Sequence, residues 1–131
     1  MMNLIIYLGT WGLYPWFVEN REHLVYPPDL EKFEKLSPYG KVFQCVNEDD
    51  QYLMLKYKDE TFSVKPDLYK QVSAPKINFN DKVRLVEKPN AEVVINEIFW
   101  HSDRNEPMYF ITIDGKKKSK RYWNCDFVEQ T

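Results

Sequence analysis

Apolar and polar positions alternate along most of this chain, and the alternation predicts strands far more often than helices. Leu4–Leu8 (LIIYL) is a continuous apolar run of the kind expected in a strand buried on both faces. Gly9, Thr10 and Gly12 interrupt it, and Trp11, Tyr14 and Trp16 then crowd into a Gly- and Pro-broken segment. Three large aromatics in a loop are expected to be packed down as a plug in the core, since exposing each costs about 2 kcal/mol. Phe17–Val25 reads equally as extended chain or short helix. Pro27-Pro28-Asp29 sets up a helix start with Asp29 as the cap, and Leu30, Phe33 and Leu36 then recur at helical spacing. Ser37-Pro38 ends that helix.

From there the period is two. Lys41–Val46, Gln51–Tyr57 and Thr61–Lys65 are expected as three strands of an antiparallel meander joined by the polar turns 47–50 and 58–60. Pro66–Tyr69 reads as one helical turn, and Pro75 is the expected subdomain boundary. Lys82–Val86, Val93–Trp100, Met108–Ile113 and Lys118–Trp123 are the next expected strands, with 126–128 as a short terminal piece. His101–Pro107 has no glycine and is expected to protrude as a wide loop. Asp114-Gly115 marks a tight hairpin, because glycine accepts the positive φ that such turns need. Ile98, Trp100, Ile111 and Trp123 are the expected core of this half. The fold class is therefore mainly β with minor α, in a β-rich segment 1–75 with one short helix and a second segment 76–131, expected to form one compact unit.

Residues 80–128 resemble an SH3-like barrel of the Tudor or KOW kind. The likeness rests on the Asn80-Asp81 opening before Lys82-Val83, a run of five short strands, the Asp114-Gly115 hairpin, and Arg121-Tyr122-Trp123 before the closing Asp126-Phe127-Val128. The resemblance implies a C-terminal barrel on which the meander and helix pack. With WGLYPW near its start and GKKKSKRYW near its end, the whole chain is similar to small bacterial proteins, some of which are immunity proteins that neutralise a cognate toxin. That likeness carries over no functional residue.

Composition narrows the possibilities. A net charge of −2 argues against a body shaped throughout for nucleic acid. The strongest charge run is Lys116, Lys117, Lys118, Lys120 and Arg121. Alternate residues of a strand share a face, so this run is expected to split, with Lys118, Lys120 and Tyr122 outward and Arg121 and Trp123 inward. Together with His101, Asp103 and Arg104 of the neighbouring loop it forms the candidate partner-binding surface. Glu48, Asp49 and Asp50 on one turn, with Asp59 and Glu60 on the next, offer an alternative acidic surface suited to a basic partner. A solvated hairpin and solvated turns are the plain structural readings of the same residues.

Catalytic chemistry finds no footing. His101 beside Asp103 invites a general base, yet no nucleophile or second acid is named, and the chain has no Gly-rich phosphate loop. Cys45 and Cys125, the only cysteines, are in no metal-ligand spacing and read as small buried thiols, so neither a metal nor a cofactor is expected. Met1–Leu8 is too short to span a membrane and lacks the marks of a secretory signal, which points to a reduced cytoplasmic protein. The expected function is a non-catalytic binding protein acting by surface complementarity, of the immunity or inhibitor kind, with a toxin domain as partner. The alternative is a nucleic-acid-binding module using the 116–121 hairpin, with Trp100, Tyr109 or Tyr122 stacking on bases.

Overall fold

The first-half alternation becomes a five-stranded antiparallel sheet in the computed structural model, which describes residues 6–128. Its strands are β1 (Trp11–Leu13), β2 (Phe43–Glu48), β3 (Leu53–Tyr57), β4 (Glu60–Val64) and β5 (Lys70–Val72), in the order β4-β3-β2-β1-β5. Cys45, Leu55 and Phe62 are cross-strand partners, as are Leu53 and Val64, and all five are buried on one face. A bulge at Val46 shifts the register between Cys45 and Asn47, which leaves Val46 exposed.

The one α-helix among the described residues, α1 (Leu30–Leu36), covers that face. Its buried Phe33 lies within aromatic contact of Tyr14, Trp16, Phe43 and Phe62, with ring centroids 5.9, 5.2, 6.0 and 5.1 Å away. Asp29 does not cap the helix. Its carboxylate instead accepts the Ser63 N–H at 2.8 Å and sits 3.4 Å from Lys32, tying the helix start to β4. Tyr14 and Trp16 form the expected plug: both are buried, the Tyr14 hydroxyl donates to the Lys65 carbonyl, and the Trp16 indole N–H donates to that of Arg21. Trp11 is only half-buried.

The expected strand at Leu4–Leu8 lies partly outside the described residues, and Ile6–Leu8 is not a strand. The N–H groups of Ile6, Tyr7 and Leu8 all donate to one oxygen of Glu48, at 3.0, 2.8 and 3.1 Å.

The chain divides into two compact units, Met1–Ala74 and Pro75–Thr131. The second is built on a four-stranded antiparallel sheet of β6 (Val93–His101), β7 (Glu106–Ile113), β8 (Lys116–Lys117) and β9 (Tyr122–Trp123). β7 lies between β6 and β8, and β9 also pairs with β7. Lys82–Val86 contributes a single bridge, Leu85 to Phe127, rather than a strand. The expected Lys118–Trp123 strand is broken, with 118–121 outside any strand.

β6 carries a bulge at Asn96, between the pairs Ile95–Ile111 and Glu97–Phe110. Strict alternation would place Val93 and Ile95 on the opposite face from Ile98. The extra residue brings all three to the buried face. Buried Tyr109 organises this core: its hydroxyl donates to Asn124 Oδ1 at 2.6 Å, and the backbone amides of Ile77 and Lys76 donate to the Tyr109 hydroxyl oxygen. Ile98 and Ile111 are fully buried as expected, but Trp100 and Trp123 are only half-buried.

Candidate partner-binding rim

The loop expected at His101–Pro107 is a tight four-residue turn, because β6 runs through His101 and β7 begins at Glu106. Asn105 takes the left-handed step with φ 53°, a conformation asparagine tolerates better than most residues. This closes the hairpin without glycine. The Arg104 N–H then donates to His101 Nδ1 at 3.1 Å, so that nitrogen carries a lone pair and the ring is oriented from within the turn.

Pairing of β9 with β7 sets Trp123 opposite Met108, one step along from Glu106 on the same face. The Arg104 guanidinium carbon consequently lies 3.6 Å from the Trp123 ring centroid, while its Nε donates to Glu106 Oε2 at 3.2 Å. His101 meets the same indole edge-on at 5.3 Å, and the Arg121 guanidinium lies 5.7 Å from it. Four residues spread over 101–121 thus gather at one indole, three of them against the ring itself. Each contact is weak alone, at about 0.5–1 kcal/mol for an exposed cation–π pair and up to about 1 for an exposed ion pair. Jointly they orient Arg104, whose remaining guanidinium N–H groups are directed by a fixed fork.

The remaining candidates do not gather here. Lys116 and Lys117 are exposed on β8, beyond the Asp114-Gly115 turn at the far end of β7. The seven steps from Glu106 to Ile113 make that separation about 24 Å. Lys118 is half-buried, with its N–H bonded to the Ile111 carbonyl at 2.9 Å. Lys120 is exposed, its ammonium 4.9 Å from the Tyr122 ring. Tyr122 itself is buried, and Tyr109 fully so, which removes both as platforms for a base. The inward–outward assignment is reversed at this end: Arg121 is exposed where it was expected inside, because 118–121 does not keep a strand's alternation. Asp103 is exposed at the turn.

The acidic alternative is also divided. Glu48 is occupied by three backbone N–H groups, and Asp49 Oδ1 accepts from Gln51 and Tyr52 at 2.8 and 2.7 Å. Those amide bonds hold the Asp49 carboxyl below the usual range. Asp59 and Glu60 are exposed at the β3–β4 turn, across β3 from the exposed Asp50. A five-residue strand makes that about 17 Å. Two of the five carboxylates are therefore structural, and the others form no single surface.

Among the described residues no three or more His, Cys, Asp or Glu side chains gather in a way that could hold a metal ion. Cys45 is buried, and burial foremost, then Glu48, pushes its thiol pKa up, which is wrong for a nucleophile. Cys125 is exposed in the turn 124–126, not buried as expected. No helix among the described residues is long and apolar enough to cross a membrane. The residues of the rim not singled out in the sequence are Glu106 and Trp123, the latter read as core. The one local signal was Arg104 two positions before Glu106, across a turn.

The model of a family of unknown function, DUF6960, matches residues 5–128. The chain belongs to that family. No curated protein and no solved structure matches it.

Proposed function

We propose that this protein of the DUF6960 family is a non-catalytic binding protein that recognises another protein through the rim around Trp123. The observation that carries the reading is the Arg104 guanidinium stacked 3.6 Å from the Trp123 ring and held by Glu106. Tryptophan and arginine dominate the energetics of protein interfaces, and a rim whose arginine is already oriented loses less freedom on binding. With Arg104 and Arg121 both beside the indole, the fitting partner surface carries carboxylates or main-chain carbonyls. The guanidinium lies over the ring where a base would stack, which favours a protein over a nucleic acid at this place. In the finer form of the proposal the partner is a toxin domain and the protein is an inhibitor or immunity protein in the cytoplasm.

Calorimetric titration of the protein with the product of the gene beside its own tests the reading. Binding that weakens at least thirtyfold in both Trp123→Ala and Arg104→Ala supports it, a loss of about 2 kcal/mol each. Binding that survives both changes moves the interface elsewhere. The second reading rests on the exposed cations Lys116, Lys117, Lys120 and Arg121. Salt-sensitive fluorescence anisotropy with single- and double-stranded oligonucleotides, lost in Lys116→Ala/Lys117→Ala but kept in Trp123→Ala, would establish it instead.

A further inference from the structure

β6 is an edge strand: β7 occupies one side of it, and among the described residues no strand lies on the other. The direction of its main-chain groups follows from two hydrogen bonds. Asp114 donates its N–H to the Glu92 carbonyl at 2.9 Å, so Glu92 and, two residues on, Val94 face β7. Lys118 donates to the Ile111 carbonyl, so Ile111, the partner of Ile95, faces β8. In an antiparallel ladder the N–H and C=O of one residue point the same way and alternate along the strand. Val93 and Ile95 therefore aim theirs away from the sheet. No backbone hydrogen bond among the described residues reaches either pair of groups.

Val93–Ile95 line an open cleft of about 430 Å³ together with Asn80–Val83, Ala91 and Glu92. Of these, Val83, Val93 and Ile95 are buried, and the carboxylates of Asp81 and Glu92 outnumber the ammonium of Lys82 around the cleft. The bulge at Asn96 ends the regular edge, so only one donor–acceptor repeat is on offer. A row of main-chain donors and acceptors at strand spacing is answered by another extended backbone. We propose that Val93–Ile95 is an acceptor for a short extended strand of a partner protein, carrying small apolar residues between basic ones. A cleft also lined by Asn80–Val83 admits a single strand more readily than the edge of a whole second sheet. The site is at the opposite end of β6 from the His101 turn, and nothing in it depends on the rim.

Residue-resolved amide hydrogen exchange on the full chain, with the blocked pentapeptide KVTVK as probe, tests the proposal. In the dilute free protein the Val93 and Ile95 amides exchange at least tenfold faster than that of Val94. The peptide slows both at least tenfold and leaves Val94 unchanged. Of two peptide analogues, N-methylated at the threonine or at both valines, one binds at least tenfold more weakly. Ala91→Trp, which fills the cleft, abolishes the effect while the β6–β7 amides keep their protection. Free-protein amides of Val93 and Ile95 as slow as that of Val94 would overturn the proposal, as would equal binding by both analogues. Protection of these two amides that rises with protein concentration alone would replace the partner strand with a second copy of the chain and overturn it too.

Discussion

Gly12 lies in the middle of the N-terminal sheet, paired with Phe43 on one side and Gln71 on the other. A Cβ placed on it would stand 2.4 Å from Cζ of Tyr69, 2.5 Å from Cε1 and 2.7 Å from the hydroxyl oxygen. The backbone is tied on both edges, so in Gly12→Ala the ring must leave. Tyr69 is buried, its hydroxyl is 2.8 Å from Thr10 Oγ1, and its ring packs edge-on against Tyr7 at 5.0 Å. Losing the burial costs about 2 kcal/mol, the hydrogen bond about 1 and the aromatic pair about 1. Alanine recovers about 0.5–1 over glycine in a strand. Gly12→Ala should therefore cost about 3 kcal/mol, a large share of the roughly 4–11 kcal/mol expected for a unit of this size. Equilibrium urea unfolding, read by fluorescence, measures it in a double-mutant cycle with Tyr69→Ala. Without the Tyr69 ring, Gly12→Ala should be neutral or slightly stabilising, a coupling of about 3 kcal/mol. An equal cost in both backgrounds would refute the steric argument and place the strain in the backbone.

Phe33→Ala should cost about 4 kcal/mol, since it removes the ring that touches four aromatics across α1 and the sheet, and urea midpoints check this. Stability should fall in alkali. Burial raises the pKa values of Tyr14 and Tyr109, and that of Tyr69 to about 12 despite the opposing hydrogen bond from Thr10. Above pH 10 the unfolded chain gives up these protons while the native state keeps them, so their contribution is full below pH 10 and is lost as pH rises toward the folded values. The slope is about 1.4 kcal/mol per pH unit for each tyrosine, and urea midpoints that stay flat between pH 10 and 12 would contradict the assignment. Asn105→Ala should lower stability by about 1 kcal/mol because φ is 53° there, whereas Asn105→Gly should be close to neutral; thermal melts of the pair decide this.

Local chemistry made much of the fold legible. Proline before α1, Ser37-Pro38 at its end, the Asp114-Gly115 hairpin and the alternation in β3, β4 and β7 are all properties of a few adjacent residues. The alternation expected to divide the basic run between two faces does not hold, because 118–121 lies outside any strand and Lys116, Lys117, Lys120 and Arg121 are all exposed. What the sequence left open is whatever one residue on a distant strand decides. A bulge at Val46 or Asn96 adds a single position and inverts the faces beyond it, yet no local pattern marks the insertion. Asp29 looked like a cap until the fold brought the Ser63 amide to it. Trp123 looked like core until β9 docked beside Met108 and placed its ring under Arg104. Local propensity acts through torsions and near neighbours, and those are written along the chain. Register, and with it the rim and the open edge of β6, is set by which strands meet, and only the tertiary structure supplies that.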